Sequence, residues 1–397
     1  MSSLESESTP DLARLDLAQD ADTLVVKVGT RALTYPDGSL DRSQVRSLAE
    51  QLVAIGAGAT RQVALVSSGA VGAGIGRLGL TERPTDLAGL QAAAAVGQSA
   101  LIEAYHNEFA RHGRVAAQVL LTADDFNDRR RYLNVRNTLR SLFDCGAIPI
   151  VNENDTVRTE ELSRNVGDND RLAAMLTNLL RAPLMVLLTD VEGLYDGDPN
   201  DSSSSLIGMV EDVDESTGEV VCENLHDQGL ALSKGGMASK LEAAQIAVDA
   251  GESVILANGR RPNVLVDLLA GEPIGTLLPG VGGQVRSRKR WIAWAAQPLG
   301  VLVLDAGAVE AVEDQGASLL PVGLTDVRGD FGKGDCVSLV DAAGEELARG
   351  LTNYDDHDLR MIAGRSSGEI ASILGRMPYA EAVHRNDLAL VRGVIER

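Results

Sequence analysis

Three cysteines in 397 residues, at 145, 222 and 336, are too few and too widely spaced for a disulfide framework or a paired metal motif. That usage suits a reducing cytosol, and a cytoplasmic protein is expected. No stretch holds 18 consecutive apolar residues, about what a membrane-crossing helix needs. The opening residues, MSSLESESTPDLARLD, put acidic side chains where an export signal needs a basic and then an apolar segment. Positive charge is scarce: 36 Lys and Arg face 57 Asp and Glu, a net charge of −21. Such a surface disfavours general coating of nucleic acid or anionic lipid, although a local basic patch stays open. No GxxxxGK[ST] run occurs, which argues against a P-loop. His106, His112, His226, His357 and His384 are scattered, none beside a strand-end serine, so a Ser-His pair has little support.

What is present is a repeated alternation. Residues 24–28 are a short β-branched run that leads into Val28-Gly29-Thr30, a strand and a glycine turn. From Asp41, the spacing of Val45, Leu48, Leu52 and Ile55 predicts a helix that Gly56 stops. A second strand at 63–66 runs into Ser67-Ser68-Gly69. Helices are expected at 87–111 and 129–143, and strands at 115–121, 147–151, 184–188 and 253–257. Gly167-Asp168-Asn169-Asp170 precedes an amphipathic run at 172–180 and reads as a helix start. Such a chain is α/β, a mostly parallel sheet sandwiched by helices. Gly74, Gly76 and Gly79 have GxGxxG spacing, but they lie past the strand end inside a helical segment, unlike a dinucleotide fingerprint.

Composition changes near Pro279. The stretch PGVGGQVRSRKRW, with Arg286, Arg288, Lys289 and Arg290, reads as a linker. Short strands follow at 300–304, 336–340 and 346–351, the pattern of a second, small β-barrel domain. The expected division is a disordered tail at 1–21, a main domain at 22–280, a linker at 281–287, the barrel at 288–365 and a C-terminal extension at 366–397. From Met377 onward no periodicity is visible.

The polar residues gather where successive strands end. In open α/β sheets that edge is where ligands bind. Lys27 stands inside an apolar strand, so it either snorkels to solvent or ends at a site, and the site reading is favoured. Lys240 falls in the first turn of a helix whose Met237, Leu241, Ala244 and Val248 face the core. A cation is unfavourable there, which suggests a bound anion; a solvated lysine explains it equally well. Two lysines, glycine turns and several Asp and Asn side chains at one edge fit phosphoryl transfer, which needs alignment and charge neutralisation. Asp170 and Asp190 are candidates to orient lysines or hold Mg²⁺, and ordinary turn residues otherwise.

Taken together, VVKVGT at 25–30, VSSGAVGAG at 66–74, AAVGQSALI at 94–102, VNENDTV at 151–157, VGDND at 166–170, LLTDVEGLY at 187–195 and GGMASK at 235–240 resemble the glutamate 5-kinase (γ-glutamyl kinase) family, a branch of the amino-acid kinases. The resemblance implies ATP-dependent, Mg²⁺-assisted phosphorylation of the side-chain carboxylate of L-glutamate to glutamyl 5-phosphate, the first step of proline biosynthesis. It implies Lys27, Lys240 and Asp170 as catalytic, and Ser68, Asp155 and Asn169 as glutamate-binding. It implies Lys27, Thr189, Asp190, Lys234, Gly235, Gly236, Met237, Ala238, Ser239 and Lys240 as nucleotide-binding, with no dedicated metal ligand. Lys234 departs from the family's small hydroxyl residue at its position. Feedback inhibition by proline and a homo-oligomer, dimer or tetramer, are further implications. The physical reading agrees: Asp155 suits an ammonium, and Ser68 with its turn can donate to a carboxylate.

Beyond the linker, RKRWI at 288–292, GASLLPVGL at 316–324, GDFGKGD at 329–335 and ARGLTNYD at 348–355 resemble the PUA module. Such modules elsewhere bind RNA. From Arg286 to the end 13 Lys and Arg face 17 Asp and Glu, so nucleic-acid binding has weak support and a structural or regulatory role is favoured. The competing readings are a kinase for N-acetylglutamate or aspartate, and an RNA-binding regulator built on a kinase scaffold.

Overall fold

The fold was obtained as a computed structural model, which describes residues 10–35, 37–56, 61–157, 169–199, 201, 203–210, 236–280, 289, 291–376 and 379–391. The chain divides into two compact units, one holding residues 1–125 and 130–280, the other 126–129 and 281–397.

The first unit begins with helix α1 (Pro10–Asp20), then strand β1 (Thr23–Val28), a single turn α2 (Thr30–Leu33) and α3 (Arg42–Ile55). β2 (Gln62–Ser67), α4 (Ala70–Leu78), α5 (Leu87–Arg111), β3 (Val115–Leu121), the short α6 (Asp124–Asn127), α7 (Arg129–Asp144) and β4 (Ala147–Glu153) follow. The carboxyl half holds α8 (Asn169–Leu180), β5 (Leu184–Thr189), α9 (Met237–Asp249), β6 (Ser253–Asn258), α10 (Val264–Leu269) and β7 (Thr276–Leu278). The strands form one sheet in the order β3-β4-β2-β1-β5-β6-β7, parallel except for β7. β1 lies between β2 and β5, and its Val25, Val26 and Val28 are buried, as are all six residues of β5. A strand covered on both faces needs a continuous apolar run rather than alternation, which is what these segments carry.

Local chemistry sets the helix boundaries. Asp41 caps α3, its carboxylate accepting from the Ser43 and Gln44 amides, and Asp86 caps α5 through Gly89. Of the glycines at 74, 76 and 79, Gly74 serves packing. A Cβ built on Gly74 would meet the Ala93 carbonyl oxygen at 1.8 Å, and one on Gly97 the Ala70 oxygen at 1.7 Å. α4 and α5 therefore cross with backbones in contact, and Gly79 ends α4 in the left-handed conformation at φ 65°.

Two expectations at the chain ends are corrected. The tail at 1–21 is a helix over Pro10–Asp20, packed on α10 and pinned by buried Arg14, which donates to the carbonyls of Ile274, Gly208 and Gly275 at 2.8, 2.6 and 3.0 Å. Arg61 further ties its end by donating to Ala18 and Ala21 oxygens. The acceptors of Arg14 lie 194 to 261 residues away, so no neighbouring residue announces the helix. Residues 1–9 lie outside the described residues, as does the linker at 281–287.

The second unit contains β8 (Gly300–Leu304), α11 (Ala306–Glu313), β9 (Leu324–Gly329), β10 (Cys336–Val340), β11 (Glu346–Thr352), α12 (Asp356–Ile362), α13 (Ile370–Leu374) and β12 (Val383–Leu390). Its sheet runs β12-β11-β10-β8-β9 around a core that includes Leu302, Leu339, Leu347 and Ile362. The segment expected as an extension from 366 contributes β12, paired antiparallel with β11 from Ala348↔Leu390 to Thr352↔Val383. A bulge interrupts that pairing, which breaks the two-residue period and hides the strand from a sequence reading.

Candidate active site

Three elements of the first unit meet in a buried charge cluster at the carboxyl edge of its sheet. β1 brings Lys27, the first turn of α8 brings Asp170, and the first turn of α9 brings Lys240. Asp170 is fully buried; Lys27 Nζ pairs with its Oδ1, and Lys240 Nζ lies 3.3 Å from its Oδ2. Ser239 Oγ donates to the same Oδ2 at 3.5 Å. At 4% exposure Lys27 does not snorkel to solvent, because strands flank β1 on both sides and its ammonium turns inward to Asp170. Burying these charges costs desolvation, offset only where the geometry holds them together, so the ammonium groups are fixed in position.

Beside the cluster runs a chain of amides. Asn169 Nδ2 donates to Ser68 Oγ and to Asn152 Oδ1, both at 2.9 Å, and Asn152 Nδ2 donates to Gln98 Oε1 at 2.7 Å. Ser68 follows β2, Asn152 ends β4, Asn169 starts α8 and Gln98 lies mid-α5. Under this chain, Ser67 Oγ and the Tyr105 hydroxyl are 3.1 Å apart; burial pushes the Tyr105 pKa up and keeps it neutral, against the opposing Ser67 bond. Asp155 stands half-buried just past β4, in a turn that packs on α5.

Thr189 and Asp190 end β5. Thr189 is buried and its Oγ1 donates to Asp190 Oδ1 at 3.0 Å, while Gly259 donates its amide to the Thr189 carbonyl. Burial pushes the Asp190 carboxyl up, but the bond from Arg31 at 3.1 Å and the Thr189 hydroxyl outweigh it and hold the group below its ordinary range. α9 starts at Gly236, which offers no side-chain cap, and among the described residues a Cβ there would meet nothing within 4 Å. A helix start without a side-chain cap is the kind of place where backbone amides receive an anion. Met237 is buried in the core, so only its backbone can serve a ligand; Ala238 is exposed.

Of the residues singled out from the sequence, Lys27, Asp170, Ser239 and Lys240 are joined by direct contacts, as are Ser68 and Asn169. Thr189 and Asp190 sit at the same sheet edge. Lys234 and Gly235 lie outside the described residues, as do Gly167 and Asp168. Gln98 and Asn152 lie within the motifs AAVGQSALI and VNENDTV but were given no role of their own there, and Arg31 stands outside the motifs. Their partners across the fold show what each one does.

Two carboxylates near this edge are engaged by cations, Asp170 by two lysines and Asp190 by Arg31. Among the described residues, the one group of His and carboxylates close enough to share an ion is Asp355, His357 and Asp358, in the second unit. Two buried lysines and an uncapped helix start fit the phosphates of a nucleotide better than a bare metal ion.

Comparison with known proteins agrees in both units. The profile of the amino acid kinase family matches residues 22–258, and that of the PUA domain residues 300–374. The chain is 47% identical over 387 residues to a glutamate 5-kinase of Rhodopirellula baltica, covering 97% of this chain and 98% of the relative. It is 45% identical over 380 residues to a glutamate 5-kinase of Ralstonia pickettii, covering 96% of this chain and all of the other. Among solved structures, a carbamate kinase from Giardia lamblia bound to AMP-PNP aligns over 66% of this chain and 99% of its own, at 18% identity and a TM-score of 0.44.

Proposed function

This chain belongs to the amino acid kinase family, and from that premise we propose that it transfers the γ-phosphoryl group of ATP to the side-chain carboxylate of L-glutamate. The product is glutamyl 5-phosphate, the first intermediate from glutamate to proline. The observation that carries the reading is the convergence of Lys27 and Lys240 on Asp170, in a chain alike along nearly its whole length to glutamate 5-kinases.

Phosphoryl transfer asks the protein for alignment and for charge opposite the moving group. Lys27 and Lys240, oriented by Asp170, supply that charge. The start of α9 donates backbone amides to the phosphates of ATP, and Thr189 with Asp190 holds the nucleoside end. Mg²⁺, when bound, would supply further neutralisation of the phosphate charge beside Lys27 and Lys240. Ser68 donates to the α-carboxylate of glutamate, and Asn169 and Asp155 accept from its ammonium. Proline, as end product, is expected to inhibit, and the enzyme to act as a dimer or tetramer. No helix among the described residues is long and apolar enough to cross a membrane.

Trapping the acyl phosphate with hydroxylamine tests the reading. Hydroxamate from L-glutamate, ATP and Mg²⁺, with none from aspartate or N-acetylglutamate, is the expected result. Product from N-acetylglutamate alone would contradict the assignment of Asp155 and Asn169 to a free ammonium. Repeating the assay across a proline titration tests feedback; a flat response would remove that proposal.

A further inference from the structure

The amide chain at the sheet edge has a direction, and one backbone group fixes it. The Glu153 amide N–H donates to Asn152 Oδ1 at 2.9 Å. A backbone N–H can only donate, so the Asn152 atom facing it is the carbonyl oxygen and its NH₂ points the other way. That NH₂ needs an acceptor, which Gln98 Oε1 provides at 2.7 Å. Asn152 Oδ1 also receives Asn169 Nδ2, and the same NH₂ donates to Ser68 Oγ. Two polarities follow at the far end. The Asn169 carbonyl oxygen is left to accept, and it is buried without a hydrogen-bond partner among the described residues. The Ser68 oxygen is already accepting, so its own proton is available to donate. An acceptor beside a hydroxyl donor matches an ammonium beside a carboxylate, the two ends of an α-amino acid.

We infer that Gln98 is a positioning residue for the amino-acid substrate: through Asn152 it sets which atoms of Asn169 and Ser68 face the ligand. Gln98 is 9% exposed, and its Nε2 is likewise buried without a partner among the described residues. Packing gives it no freedom to leave, because neighbouring Gly97 lies directly against the α4 backbone. Without the Gln98 oxygen, the Asn152 NH₂ would be a buried donor with nothing to receive it. Rotation of Asn152 to satisfy that group would turn its NH₂ against the Glu153 amide and the Asn169 NH₂. The chain thus holds as a unit or fails as one.

The inference rests on the reading of this edge as an amino-acid site, and the test separates the two. Full-length wild-type protein and the variants Gln98→Met, Gln98→Ala and Gln98→Glu are assayed for hydroxamate formation over glutamate and, separately, ATP concentrations, with thermal midpoints alongside. Met keeps the volume and removes the acceptor; Glu keeps a carboxyl oxygen where Oε1 stood. Gln98→Met and Gln98→Ala are expected to raise the KM for glutamate about 10- to 100-fold, the scale of one buried group left unsatisfied. The KM for ATP should stay within about two-fold and Gln98→Glu should restore the glutamate KM to within about three-fold of wild type, both shifts under 0.7 kcal/mol. An unchanged glutamate KM in Gln98→Met or Gln98→Ala, an equal rise in both KM values, or failure of Gln98→Glu to rescue would each overturn the role. Wild-type protein that phosphorylates a different amino acid moves the same series to that substrate. Wild-type protein that phosphorylates none overturns the site and this inference together.

Discussion

Each unit carries an ionic cluster, buried in the first and partly exposed in the second, and the two are built in opposite ways. In the second unit, Arg349 pairs with Glu346 three residues earlier on the same strand, at 2.8 and 3.0 Å, and Ser338 from the neighbouring strand adds a bond at 2.6 Å. Arg349 also donates to the Ala293 carbonyl. One cation meets one anion locally, and a backbone carbonyl takes a further donor. In the first unit, Lys27, Asp170 and Lys240 come from positions spread over more than 200 residues, and two cations converge on one carboxylate. The first arrangement steadies a barrel wall. The second holds two ammonium groups where a third group can use them. Helix starts show the same contrast: α11 is capped by Asp305, which accepts from the Ala308 amide, whereas α9 begins at a bare glycine.

The sharpest way to break this contrast is at Asp170. Asp170→Asn leaves two buried ammoniums without their shared carboxylate and is expected to lower stability by about 3–5 kcal/mol, as removal of one partner of a buried pair does. Turnover should fall with it, and both are read by denaturant unfolding and the hydroxamate assay. Lys240→Ala comes next, with kcat down on the order of 10² to 10³ and the fold retained. An unchanged kcat would take Lys240 out of the reaction.

Gly236→Asp sharpens the helix-start contrast. Among the described residues nothing crowds the site, and its backbone is ordinary at φ −77°, so the carboxylate can cap α9 and raise the thermal midpoint slightly. The same carboxylate occupies the anion position, and the KM for ATP should rise about two- to five-fold, the range of a helix-terminus charge effect. A variant that is both more stable and tighter for ATP would refute the assignment of α9 to phosphate.

Glu346→Gln should have the smallest effect, about 1 kcal/mol at neutral pH for a partly exposed pair, with kcat unchanged. Burial pushes the Glu346 carboxyl up, yet the bonds from Arg349 and Ser338 outweigh it and leave the group below its ordinary 4.5. A carboxylate depressed in the folded state contributes stability that is present above 4.5 and is lost as pH falls through the lower folded value. Unfolding measured from neutral pH into that acid range should therefore lose less stability in Glu346→Gln than in wild type.

Much of the fold was legible because its signals are short-range. The runs at 24–28, 115–121 and 336–340 were readable as strands, and Asp41 and Gly56 bracket α3 as caps do. The GxGxxG spacing was readable as helix rather than as a dinucleotide turn, because it lies past the strand end, and α4 covers Ala70–Leu78. α1 and β12 were not legible. Arg14 finds its acceptors near residues 208 and 275, and β12 carries a bulged pairing with β11. The same boundary runs through the site. Residue types at strand ends, and the family resemblance they carry, pointed to Lys27, Ser68, Asn169, Asp170 and Lys240 and to phosphoryl transfer.

By itself, then, the sequence determined the alternation, the parallel sheet, the family and the kind of chemistry, because propensity, period and motif are properties of neighbouring residues. Only the tertiary structure decided that Lys27 ends on Asp170 rather than in solvent, that Arg31 meets Asp190, and that Gln98 fixes Asn152. Those pairings join elements far apart in the chain, and whether a buried polar group is satisfied depends on what the fold brings beside it.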